Sequence, residues 1–149
     1  MVIKPGTNKN INKILLPVSG GPHSLMGAKT ARMLSEAHNA KVTVLYINQD
    51  QTDRDVIKRK FEFILDQFEE NVELKLVKGS DVAQGILDTA VDYDAIVMGA
   101  TREGAFQQLL YGSIPEKVAA KSEKTVILVK KYLGLRSWLK HWLGRREYK

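Results

Sequence analysis

The sequence predicts an α/β domain: an open, doubly wound, five-stranded parallel sheet with helices on both faces. Three observations predict it. Short apolar runs rich in β-branched residues alternate with helically periodic stretches, in the order βαβαβαβαβ. Most of those runs are continuously apolar, as in strands buried on both faces. The chain has 149 residues, 44% of them apolar, enough for one domain with a substantial core.

Residues 1–11 read as an N-terminal arm, polar apart from its first residues and carrying Pro5 and Gly6. Lys13-Ile14-Leu15-Leu16-Pro17-Val18 is the first strand, and Pro17, which has no N–H to donate, marks its end. Ser19-Gly20-Gly21-Pro22 is a turn. A helix follows from about Ser24 to His38, its apolar stripe formed by Leu25, Ala28, Ala31, Met33, Leu34 and Ala37, with Asn39 as stop. Lys41 to Ile47 is the second strand. Asp53 caps a charged helical stretch to Glu70, striped by Val56, Ile57, Lys60, Phe61, Ile64, Leu65 and Phe68. Val72 to Val77 alternates apolar and polar residues, as an edge-proximal third strand does. Val82 to Val91 is a short helix, Ala95 to Met98 the fourth strand, Ser113 to Lys121 the last crossover helix, and Lys124 to Val129 the fifth strand. The domain therefore spans residues 12–130, and residues 131–149 form a tail.

The net charge of +6 belongs to residues 130–149. Residues 130–149 hold seven Lys/Arg against Glu147, leaving 16 bases and 16 acids in the rest. A neutral body offers no basic groove for nucleic acid. The absence of cysteine excludes disulfides and thiolate metal sites and fits a reducing compartment. No signal-peptide core and no membrane-length apolar run occurs, so a cytoplasmic location is expected. His23, His38 and His141 have no ligand-like spacing and read as solvated or capping residues, and no metal site is expected. Asp92 and Asp94 precede the fourth strand, away from the ligand edge. There is no Walker loop, no G-x-G-x-x-G and no nucleophile–base pair, so no catalytic residue is assigned.

In an open doubly wound sheet, ligands bind beyond the carboxyl ends of the strands. Those ends here are Pro17–Gly21, Ile47–Gln49, Met98–Arg102 and the Gly112-Ser113 turn. Glycines gather at three of the four. They serve either as ordinary βα turns or as places where backbone N–H groups approach a phosphate. The Gly99–Gly112 loop is long for a βα connection, which favours function.

The segment Met98-Gly99-Ala100-Thr101-Arg102-Glu103-Gly104, with Tyr111-Gly112-Ser113-Ile114-Pro115 and Thr125–Lys130, resembles the C-terminal signature of the universal stress protein family. In nucleotide-binding members that signature is Gly, two residues, Gly, nine residues, Gly, then Ser or Thr. Lys13–Val18 resembles the family's first strand. The resemblance covers roughly residues 12–130 and implies strand order 3-2-1-4-5, with ATP or another adenine nucleotide as ligand. It implies that Pro17 and Ile47 flank the adenine. Met98 and Gly99 would approach base and ribose through backbone, and Gly112, Ser113 and Ile114 would cradle phosphates. The adjoining Val18, Ser19, Gly20, Thr101 and Arg102 complete the candidate set. Ser19 stands where the family usually has aspartate, and Arg102 where the signature has its second glycine. Pro115 offers no N–H to a phosphate. The resemblance also implies a homodimer paired through Thr125–Val129.

Ser19-Gly20-Gly21-Pro22-His23-Ser24 also resembles the pyrophosphate-gripping loop of ATP pyrophosphatases, with His23 where those enzymes carry aspartate. An adenylating or nucleotide-hydrolysing enzyme is thus the alternative reading. A third is an interaction module acting through its tail. There, Leu135, Trp138, Leu139, Trp142 and Leu143 fall at helical spacing beside Arg136 and Lys140. Such a basic amphipathic helix either packs on its own domain or a dimer mate, lies on an anionic membrane surface, or fits a partner groove. It resembles tails of stress-protein domains fused to membrane transporters, which implies a regulatory role at a transporter.

Overall fold

The computed structural model describes residues 1–20, 22–70, 72–99 and 114–129. The described elements are β1 (Val2–Lys4), β2 (Lys13–Pro17), α1 (Pro22–His38), β3 (Lys41–Asn48), α2 (Arg54–Lys60) and α3 (Glu62–Leu65). They continue as β4 (Val72–Lys78), α4 (Val82–Ala90), β5 (Ala95–Gly99), α5 (Ile114–Lys121) and β6 (Thr125–Val129). The sheet order is β1-β6-β5-β2-β3-β4. Its five parallel strands follow the 3-2-1-4-5 order expected of them, numbered from Lys13.

One expectation about the sheet is corrected. It has six strands rather than five, because the arm supplies β1, which pairs antiparallel with β6 in the register Val2↔Leu128, Ile3↔Ile127, Lys4↔Val126. The edge expected to meet a second copy therefore carries residues of the same chain.

Successive strand residues point to opposite faces, and the core divides accordingly. Leu16, Val42, Val44 and Val97 pack under α1, α2 and α3 with Ala28, Ile57, Phe61 and Ile64. Leu15, Leu45, Ile47, Ile96 and Met98 pack under α4 and α5 with Ile86 and Val118. Asp53 and Asp81 cap α2 and α4, accepting from the N–H groups of Asp55 and Gln84 at 2.9 and 3.0 Å. Asn39, at φ 50°, ends α1 in the left-handed region that Asn tolerates.

The charged stretch expected as one helix is broken at Phe61 (φ −104°, ψ 10°). Phe61 is fully buried, with its ring 5.1 Å from that of Tyr46. Anchoring this large side chain sets where the second segment starts.

Asp94 ties the arm to the far end of the sheet. Its carboxylate accepts from the Asn8 side chain (2.8 Å) and from the backbone N–H groups of Asn12 and Lys13 (2.9 Å each). Desolvation alone raises its pKa, but these three hydrogen bonds and the nearby Lys124 charge outweigh it, so Asp94 titrates below the ordinary carboxylate value. Gly6 donates its N–H to Thr125 Oγ1 (3.0 Å), and Lys4 Nζ donates to the Ala119 and Ser122 carbonyls at the end of α5.

Candidate functional site

The carboxyl ends of β2, β3 and β5 lie side by side, since β2 pairs with both neighbours. Ile47 and Met98 share the apolar cluster beneath α4 and α5, each 5% exposed. Pro17, two residues on from Leu15, lies on that same side of the pleat and is half-buried. Pro17, Ile47 and Met98 thus lie on one side of the sheet at the carboxyl ends of three adjacent strands. Val18 does not join them: it is buried in the opposite cluster, and its N–H donates to Leu45 O at 2.9 Å. Ile114, 40% exposed, opens α5. Thr101, Arg102, Gly112 and Ser113 lie outside the described residues, as does the amphipathic tail.

Two glycines at this edge are there for different reasons. Gly20 has φ +95°, a conformation L-residues rarely adopt. Gly99 answers to packing: a Cβ there would collide with the His23 carbonyl oxygen and lie 2.5 Å from its carbon. Gly27 deepens this contact, since its own Cβ position is 3.2 Å from Gly99 N. The end of β5 and the start of α1 are therefore in close backbone contact.

The Ser19–Ser24 loop is closed on itself. Ser24 Oγ, buried, accepts from the N–H groups of both Ser19 and Gly20 at 3.3 Å. Both donors are thus engaged within the chain. His23 departs from its expected solvated or capping role. It is half-buried, and its Nδ1 is buried with no hydrogen-bond partner among the described residues.

Sequence reasoning missed Lys60 as a feature of this edge. Its ammonium lies 5.5 Å from the ring centres of both Tyr46 and Phe61 and 3.4 Å from the Cβ position of Gly20. The available signal was a lysine standing within an apolar stripe. Ile47 is backed by α4: a Cβ on Gly85 would lie 2.8 Å from Ile47 Cδ1. Two concavities are found among the described residues. One of about 440 Å³ lies between β4 and α4, and one of about 560 Å³ at the amino ends of the strands, near Lys13 and Lys41. The strand-end edge is the candidate, because ligands of open doubly wound sheets bind beyond the carboxyl ends of the strands. Among the described residues no cluster of His, Asp or Glu could hold a metal, and no helix is long and apolar enough to cross a membrane.

The sequence model described as the universal stress protein family matches residues 10–130. The chain belongs to that family. It is 29% identical over 133 residues to a universal stress protein of Thermus aquaticus named for its place in the QAH/OAS sulfhydrylase 3′ region, spanning 78% of this chain and 97% of the relative. Its fold is shared by a universal stress protein solved in complex with cAMP, at TM-score 0.67 and 22% identity over 82% of this chain and 98% of that one. It is shared too by the Archaeoglobus fulgidus universal stress protein in complex with dAMP, at TM-score 0.59 and 22% identity over 80% and 98%. At these identities the structural likeness speaks for the universal stress protein fold alone.

Proposed function

We propose that this universal stress protein is an adenine-nucleotide-binding regulatory module, with ATP as ligand, rather than a catalyst of rapid turnover. The observation that carries the reading is the placement of Pro17, Ile47 and Met98 on one side of the sheet, at the carboxyl ends of three adjacent strands. This gives a planar base an apolar floor. The Lys60 ammonium, next to Gly20 at this edge, is a cationic group toward which an anion can turn. Gly112, Ser113 and Ile114, at the amino end of α5, complete the phosphate side in this reading. Relatives of the same fold solved with cAMP and dAMP support an adenine ligand.

Calorimetric titration tests it. Saturable heat with ATP, reduced by Met98→Lys, is the expected result; no heat at millimolar ATP with a folded protein would sink the reading. We further propose that the module acts at a membrane transporter through the Leu135–Leu143 helix, a reading supported by the tail's charge and its two tryptophans. Flotation with anionic liposomes tests that part. If truncation after Lys131 leaves flotation unchanged, the tail is not the contact.

A further inference from the structure

The helix α5 is short and lightly buried. It has eight residues, of which Val118 is buried, in the apolar cluster beneath α4 and α5. One buried side chain fixes the height of a helix over the sheet better than its place along its own axis. At the carboxyl end of α5 that place is held by polar ties. Lys4 Nζ donates to the carbonyls of Ala119 and Ser122. These belong to the last turn and its exit, where a cation also suits the helix dipole. Ser122 is buried, and its Oγ accepts from the Lys124 N–H at 3.1 Å.

Lys4 is itself held in place. β1 sets it opposite Val126, and two residues on Gly6 donates its N–H to Thr125 Oγ1 at 3.0 Å. The end of α5 is thus pinned to β6 through the arm. Its other end, opening at Ile114, lies about 12 Å away, as eight helical residues require. So short a helix moves as one body. The dipole's influence fades within a turn, so what Lys4 passes to the amino end is position rather than charge.

We propose that Lys4 is a positioning residue for the nucleotide site: by holding the carboxyl end of α5, it sets where the amino end meets the phosphates. This rests on the nucleotide reading, in which the amino end of α5 completes the phosphate side. The base side is built from Pro17, Ile47 and Met98 on β2, β3 and β5. Lys4 therefore serves phosphate binding and not base binding.

Calorimetry with ATP and with adenosine, on the full chain and on Lys4→Met, tests this. Methionine keeps an unbranched stem and removes the donor. The expected result is a loss of about fivefold in ATP affinity, the worth of about one hydrogen bond, with adenosine affinity unchanged. ATP bound equally by variant and intact chain would overturn the proposal and leave the nucleotide reading standing. Equal losses for ATP and adenosine would also overturn it, since Lys4 would then serve only the fold. No heat with ATP from the folded intact chain would remove both. If Lys4→Met does not fold, the intact chain carries the test, because coupling between two sites is reciprocal. Saturating ATP should then slow amide exchange at residues 2–4 more than saturating adenosine does; equal protection by the two would overturn the proposal.

Discussion

Gly99 shows how a residue can be placed correctly and explained differently. Its position at the end of β5 follows from the sequence, but the absence of a side chain is demanded by the His23 backbone. A carbonyl cannot swing aside as a side chain does. Gly99→Ala is therefore expected to destabilise by about 2–3 kcal/mol through overpacking, measured by denaturant unfolding. Gly85→Ala should behave otherwise. The atom it meets is the flexible tip of Ile47, and alanine gains about 1 kcal/mol over glycine in a helix interior. Stability should hold within about 1 kcal/mol while ATP affinity falls, because Ile47 is displaced at the pocket floor. Lys60 was illegible for a plain reason. A lysine in an apolar stripe announces only that its stem is covered, and the two rings and the glycine beside it come from distant segments. Lys60→Met keeps the stem and removes the charge. A partly exposed ion pair is worth up to about 1 kcal/mol, so ATP affinity should drop about fivefold, with a weaker dependence on salt.

At the scale of elements, the sequence announced those that are long or strongly patterned. The runs of β2, β3 and β6 and the cap Asp53 stand close to where they were read. What stayed hidden depended on distance along the chain. β1 has three residues and no period to detect, and its partner lies more than a hundred residues away. The break between α2 and α3 carries no Gly or Pro, because it is set by where the Phe61 ring fits. The Asp94 attachment makes a pH prediction. Its folded pKa is depressed, so its contribution is fully present above the unfolded value of 3.8 and is lost as pH falls through the folded value. Amide exchange at residues 2–8 should accelerate below about pH 4, before the core strands respond. Asp94→Asn should show fast exchange there already at neutral pH, with the acid-dependent step gone.

For the whole molecule, sequence and structure agree on a neutral α/β body whose strand ends face one way, and the family match covers that body. A ligand that binds only the folded body raises its stability by mass action. ATP at a hundred times its Kd should add about 2.7 kcal/mol, read as a rise in Tm. A variant with Met98→Lys should lose most of that rise, and truncation after Lys131 should leave it intact.

The pairing of residues 2–4 with 126–128 also orders events in time. The arm is synthesised well before β6, yet its place in the sheet exists only once β6 has been made. Contacts of such sequence separation form late, and synthesis at about 5–20 residues per second leaves the arm waiting for seconds. Every nascent chain therefore passes through a stage in which the rest of the sheet can assemble while its first strand is still loose.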